Sequence, residues 1–139
     1  MDATPNRQRG SCHCGRVVFE LDAPVRSVVE CNCSICRKRA ALWIGAGEHQ
    51  LRIVAGEAEL ALYQFGTNTA KHFFCRHCGI HPFARPRIAP DKWAVNARCI
   101  EGLDLRALPV VPFDGEHWDE AAAAFLARLR EAPVVSAPP

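Results

Sequence analysis

Long hydrophobic runs are missing from this 139-residue sequence: the longest, 121–127, falls far short of the roughly 18 residues that a membrane-spanning helix needs. No membrane partner is expected. A charge excess is missing as well. Lys plus Arg number 17 and Asp plus Glu 15, a net of +2, so no strongly basic field exists to gather a polyanion and no nucleic-acid partner is expected. Residues 1–9 are polar and lack the apolar core of a secretion signal, which directs the expectation to a reducing cytoplasm. What is present is the balance of an ordinary globular chain, 49% hydrophobic and 23% charged, with length for one domain.

Eight cysteines stand out against that ordinary background: Cys12, Cys14, Cys31, Cys33, Cys36, Cys75, Cys78 and Cys99. At 8 in 139 they are too sparse for a disulfide scaffold, which runs at about 8–10%. In a reducing compartment, cysteines grouped at gaps of one and two residues read as metal ligands.

The pattern along the chain gives a polar leader (1–9), one domain (10–131) and a Pro-rich tail (132–139). Short alternating or apolar runs at 16–21, 27–30, 42–45, 51–54, 59–65, 71–74 and 93–98 are strand signatures. One helix is expected over 116–130. Asp114 precedes it as a candidate cap, and Trp118, Ala122, Phe125 and Leu129 recur on one face. A helical turn near Cys33 would put Cys33 and Cys36 on a common face. The fold class is mainly β with one C-terminal helix.

Zinc takes thiolates in tetrahedral array, and tight cysteine turns supply two ligands each. Cys75-Arg-His-Cys78-Gly79 is such a turn, and Cys12-His-Cys14-Gly15 repeats it with a tighter gap. Together they could form a closed structural site joining early and late segments. Cys31-Asn-Cys33-Ser-Ile-Cys36 then remains as a cluster of three, the ligand count of an open, catalytic zinc. Spacing alone leaves alternatives: Cys33/Cys36 with Cys75/Cys78 as a ribbon, or Cys99 or a histidine as fourth ligand. Three thiolates on Zn²⁺ leave one net negative charge, which disfavours acidifying a water and suits capture of an incoming thiol. Arg37, Lys38 and Arg39 follow the cluster and could offset its charge or receive carboxylates.

The strings Gly10-Ser-Cys-His-Cys-Gly15, Cys31-x-Cys33-x-x-Cys36, Phe73-Phe-Cys75-x-x-Cys78-Gly79 and Val95-Asn-x-Arg98-Cys99-x-x-Gly102 resemble the glutathione-dependent formaldehyde-activating enzyme family, which also contains centromere protein V. The resemblance runs from about residue 10 to 118. It implies a two-sheet zinc-binding fold similar to methionine sulfoxide reductase B. It also implies a structural zinc on Cys12, Cys14, Cys75 and Cys78 and a catalytic zinc on Cys31, Cys33 and Cys36. The reaction implied is carbon–sulfur bond formation, in which glutathione adds to formaldehyde to give S-hydroxymethylglutathione, formally a carbon–sulfur lyase run backwards.

The expected activity is therefore addition of a small thiol to formaldehyde or a related aldehyde. The rivals are a zinc-stabilised binding module and a thiol-based sensor. Cys99 reads as a buried apolar-like residue, and His72 and His81 as strand histidines or proton shuttles. Asn96 and Arg98 alternate on a late strand, which makes Arg98 a candidate carboxylate anchor. Oligomeric state leaves no mark in the sequence.

Overall fold

The computed structural model describes residues 7–131. Its strands in chain order are β1 (Arg7–Ser11), β2 (Val18–Asp22), β3 (Val28–Cys31), β4 (Trp43–Ala46) and β5 (Leu51–Ala55). They continue with β6 (Leu60–Tyr63), β7 (Lys71–Cys75), β8 (Phe83–Arg85), β9 (Trp93–Asn96) and β10 (Val110–Phe113). A single-turn helix α1 (Cys36–Arg39) follows β3, and α2 (Trp118–Glu131) follows β10. The structure is mainly β, as its sequence patterning indicates. Among the described residues no helix is long and apolar enough to cross a membrane.

The strands form two sheets: a three-stranded one ordered β1-β2-β5, and a seven-stranded one ordered β10-β3-β4-β9-β8-β7-β6. All pairings are antiparallel except β10 with β3. Alternation decides which faces meet. In β2, Phe19 and Leu21 point inward and are fully buried, while Glu20 faces outward toward Arg7, Arg9 and Arg52. In the large sheet the row Phe73, Phe83, Val95, Ile44 faces the small sheet, and Phe83 meets Phe19 edge to face at 5.7 Å. This apolar layer is the main core.

The next row across the large sheet, His72, Ala84, Ala94, Gly45, falls on the opposite face. Period-2 alternation places these residues away from the core, on the side where α1 and α2 lie. The Cys31, Cys33, Cys36 group and the cavity beside it lie on that side.

Three strands were invisible to apolar patterning. β1 is Arg-Gln-Arg-Gly-Ser and begins at Arg7, within the stretch read as leader. β8 has only three residues, and β10 carries Pro112, which an edge strand tolerates because its N–H is not needed in the ladder. Residues 1–6 of the leader and the expected tail lie outside the described residues. The helix begins at Trp118, after a 3₁₀ turn over Gly115–His117. Asp114 does not cap it through its side chain. Its carboxylate accepts instead from Asn32 Nδ2 at 3.0 Å and lies 2.9 Å from His117 Nδ1. Leu129, expected on the packed face of the helix, is exposed.

Candidate metal centres

The chain turns sharply between β1 and β2 and again after β7, and the two turns face each other. Cys12 and Cys14 come from the first, and Cys75 and Cys78 from the second. Cys12 and Cys75 are buried, and all four sulfurs lie within 4.8 Å of one another. The Cys12–Cys14 separation is 3.6 Å and the Cys14–Cys75 separation 3.7 Å. Four sulfurs about 2.3 Å from a tetrahedral zinc stand about 3.8 Å apart, so this donor set fits the ion. Backbone N–H groups already point at the sulfurs: Val17 donates to Cys12 at 3.3 Å and His77 to Cys75 at 3.4 Å. Gly79, at φ +80°, lets its N–H return to the Cys75 carbonyl at 2.8 Å and closes the turn. Hydrogen bonds from the Arg16 backbone and side chain pull the Cys14 thiol down to about 6, whereas burial pushes Cys75 up to about 11.

The second group sits where β3 runs into α1. Cys31 ends the strand, Cys33 lies in the connecting turn and Cys36 opens the helix; their sulfurs also lie within 4.8 Å of one another. Cys36 N–H donates to Cys33 at 3.4 Å, and the Trp43 indole N–H donates to Cys36 at 3.3 Å. The thiols compete for one negative charge. Hydrogen bonds from Cys31 and Cys36 drive Cys33 far down, while those with Cys31 and Cys33, followed by burial, drive Cys36 far up. One thiolate is therefore favoured and three are not, unless a cation balances them. Among the described residues no fourth thiol, imidazole or carboxylate joins this group.

The spacing alternatives resolve accordingly. The ribbon pairing of Cys33/Cys36 with Cys75/Cys78 is not formed, and Cys99 belongs to neither group. Cys99 is mostly buried, with its thiol 4.0 Å from the His81 carbonyl, and burial pushes it up to about 12. All eight cysteines are free. Arg98 does not lie on β9 as expected: the strand stops at Asn96, whose side chain accepts the Arg98 N–H and starts a 3₁₀ turn. The Arg98 guanidinium instead donates to the Ala40 carbonyl at 2.7 Å and so clasps the left-handed residue, φ +57°, that ends α1. Arg37 pairs with Glu116 at 3.5 Å, and Arg39 lies over the Phe74 ring.

Several features of this centre are not legible from cysteine spacing. Asn32, inside the cysteine motif, also receives the Glu116 N–H at 3.1 Å, so its amide ties the ligand turn to the segment after β10 at two points. Gly115 then presses against the turn. A Cβ there would stand 2.6 Å from the Cys31 sulfur and 2.7 Å from Cys33 Cβ. Beside the cluster, the rings of Trp43, His81 and His72 follow one another at 5.2 and 5.6 Å. His72 Nδ1, both nitrogens of His81 and Arg39 Nη1 are buried without a partner among the described residues. Burial, reinforced by Arg39 and His72, pulls His81 down to about 3 and so keeps it neutral.

A cavity of about 720 Å³ opens against Cys31, Cys33 and Cys36. Its floor is the sheet row His72, Ala84, Ala94, Gly45, and its walls include Trp43, Phe65, Phe113 and, from α2, Trp118 and Phe125. Phe113 and Phe125 meet edge to face at 6.0 Å, which fixes the helix over the cavity. A smaller cavity of about 320 Å³, lined by Glu30, Asn32 and Asp114 among others, also reaches Cys31 and Cys36.

Three comparisons bear on this arrangement. A family model described as glutathione-dependent formaldehyde-activating enzyme matches residues 7–113. A Halomonas elongata protein, named provisionally as a glutathione-dependent formaldehyde-activating enzyme, is 32% identical over 98 residues. That match covers 54% of this chain and spans 62% of the relative's own length. A Rhodobacter sphaeroides protein of known crystal structure is 43% identical, with a TM-score of 0.70 over 75% of this chain and 97% of that one.

Proposed function

The chain belongs to the glutathione-dependent formaldehyde-activating enzyme family, and from that premise we propose that it is a zinc-dependent carbon–sulfur lyase-type enzyme. It adds a small, glutathione-like thiol to formaldehyde or a related aldehyde. The observation that carries this reading is the Cys31, Cys33, Cys36 group: three clustered sulfurs, no fourth ligand among the described residues, and an adjoining cavity. A closed four-ligand centre would serve stability alone; three ligands leave a coordination position. In this reading Cys12, Cys14, Cys75 and Cys78 hold a structural zinc and Cys31, Cys33 and Cys36 a catalytic one.

Zinc at the second centre supplies positive charge that favours an ionised sulfur near neutral pH. The protein's part is to hold and orient. Backbone N–H groups and the Trp43 indole hold the three cysteine sulfurs in a fixed array. Asn32, Gly115 and the Arg98 clasp on Ala40 hold the turn that carries them. Aromatic side chains wall one side of the space beside the three sulfurs. In the addition, a sulfur–carbon bond forms, the carbonyl π bond opens, and the thiol proton ends on the former carbonyl oxygen, so no oxidant or reductant is required. Eight free thiols accord with a reducing cytoplasm as the place of work.

Metal analysis together with magnetisation-exchange NMR tests the proposal. Wild type should hold two zinc ions and accelerate exchange between glutathione and its formaldehyde adduct. Cys36→Ser should hold one and lose the acceleration. One zinc in wild type, with exchange unaffected by Cys36→Ser, overturns it.

A further inference from the structure

Formaldehyde has two heavy atoms, whereas the cavity beside the three-cysteine centre, at about 720 Å³, holds on the order of twenty water volumes. Its size therefore serves something else. Glutathione carries two carboxylates and an ammonium, and these need free partners of opposite charge. The cavity supplies few: Arg37 is paired with Glu116 at 3.5 Å, and Arg87 lies flat on Trp118 with its guanidinium carbon 3.8 Å from the ring centre. Deeper in, the floor is His72, Ala84, Ala94 and Gly45, beneath walls of Trp43, Phe113 and Phe125. Burial, followed by the nearby Arg39, lowers the His72 pKa and so favours its neutral form, which gives a carboxylate no opposite charge there.

The geometry points to an aldehyde bearing an aromatic or branched-alkyl substituent as the second reactant, with the substituent on the Gly45–Ala84–Ala94 floor and the carbonyl at the cysteine centre. This inference rests on the three-cysteine centre being catalytic and names its substrate class. The small floor residues create the space, since each larger side chain in that row would project into it. Gly45 shows this directly: it is exposed to the cavity, and a Cβ built on it meets nothing within 4 Å. Burying an aromatic group against these walls favours binding in proportion to the apolar area removed from water, a gain formaldehyde cannot collect. Atoms and electrons balance as for formaldehyde, because only the substituent on the carbonyl carbon changes.

The test measures thiol–aldehyde exchange by NMR on the zinc-loaded protein, with glutathione and either formaldehyde or 3-phenylpropanal, each corrected for the spontaneous rate. Wild type should accelerate exchange with 3-phenylpropanal at least as strongly as with formaldehyde. Gly45→Leu, which builds into open space on a strand, should lower the ratio of 3-phenylpropanal to formaldehyde acceleration at least tenfold. Ala94→Phe, filling the floor from the neighbouring strand, should lower it likewise and guards against a folding defect in either variant. Acceleration with formaldehyde alone, or a ratio unmoved in both folded variants, overturns the substrate class and leaves the catalytic reading standing. Acceleration with neither aldehyde overturns both.

Discussion

His81 shows how much a single side chain here depends on its surroundings. It is 5% exposed, finds no partner for either ring nitrogen among the described residues, and faces Arg39 and His72, both of which resist a further positive charge. Its pKa is pulled from 6.5 to about 3. The unfolded chain therefore takes up this proton below about pH 6.5 while the folded chain does not, so stability is full above that pH and is lost as the pH falls toward 3. At about 1.4 kcal/mol per pH unit, the loss between pH 7 and pH 5 should be about 2 kcal/mol. Denaturant unfolding of wild type and His81→Phe at both pH values isolates this contribution from the thiolates, which titrate in both proteins. Parallel pH dependence in the two proteins would show that His81 is not the cause.

At the scale of elements, the second centre depends on the approach of the segment after β10. Gly115 lies so close to Cys31 and Cys33 that Gly115→Ala must push the ligand turn aside. Zinc affinity at the second centre should fall at least tenfold while the first centre keeps its ion, as read by competition with a chromogenic chelator; equal retention at both centres would contradict it. Each cysteine pair or triple was legible in the sequence because it is local, and spacing of one or two residues is what a tight turn or one helical turn can bring to a point; which pair joins which was not set by spacing and came from the family resemblance. The packing of β10 and Gly115 on that turn was not, because it is set by a pairing between distant segments. The helix after it was legible from its apolar spacing, but the role of Asp114 was not: a carboxylate before a helix reads as a cap, and only the folded chain shows Asn32 competing for it. The placing of Arg98 on β9 missed for a similar reason, since alternation assumed that the strand ran on past Asn96.

For the whole molecule, a zinc held by the four-cysteine group, as proposed, would add a cross-link to two sheets that already share the main apolar core. It would tie the β1–β2 turn of the small sheet to the β7–β8 turn of the large one, with Cys14 and Cys75 61 positions apart. Metal binding at a closed thiolate site contributes directly to folding free energy. Cys75→Ser should lower the melting temperature by at least about 10 °C, the equivalent of a few kcal/mol in a domain of this size. Cys36→Ser, on the outer face of the large sheet, should lower it by less than about 5 °C. Calorimetry on both variants decides, and equal shifts would remove the distinction between a structural and a functional centre.

The parallel pairing of β10 with β3 also sets a timetable. Val110 lies against Val28, 82 positions earlier, so during synthesis at about 5–20 residues per second the first of these strands waits roughly 4–16 s for its neighbour to be made. Asn32 waits equally long for the carboxylate and the N–H that will fix it. The early thiols are thus translated well before their pocket can be completed, and an ion held by Cys31, Cys33 and Cys36, as proposed, would gain its full surroundings only once residues 110–116 have been made.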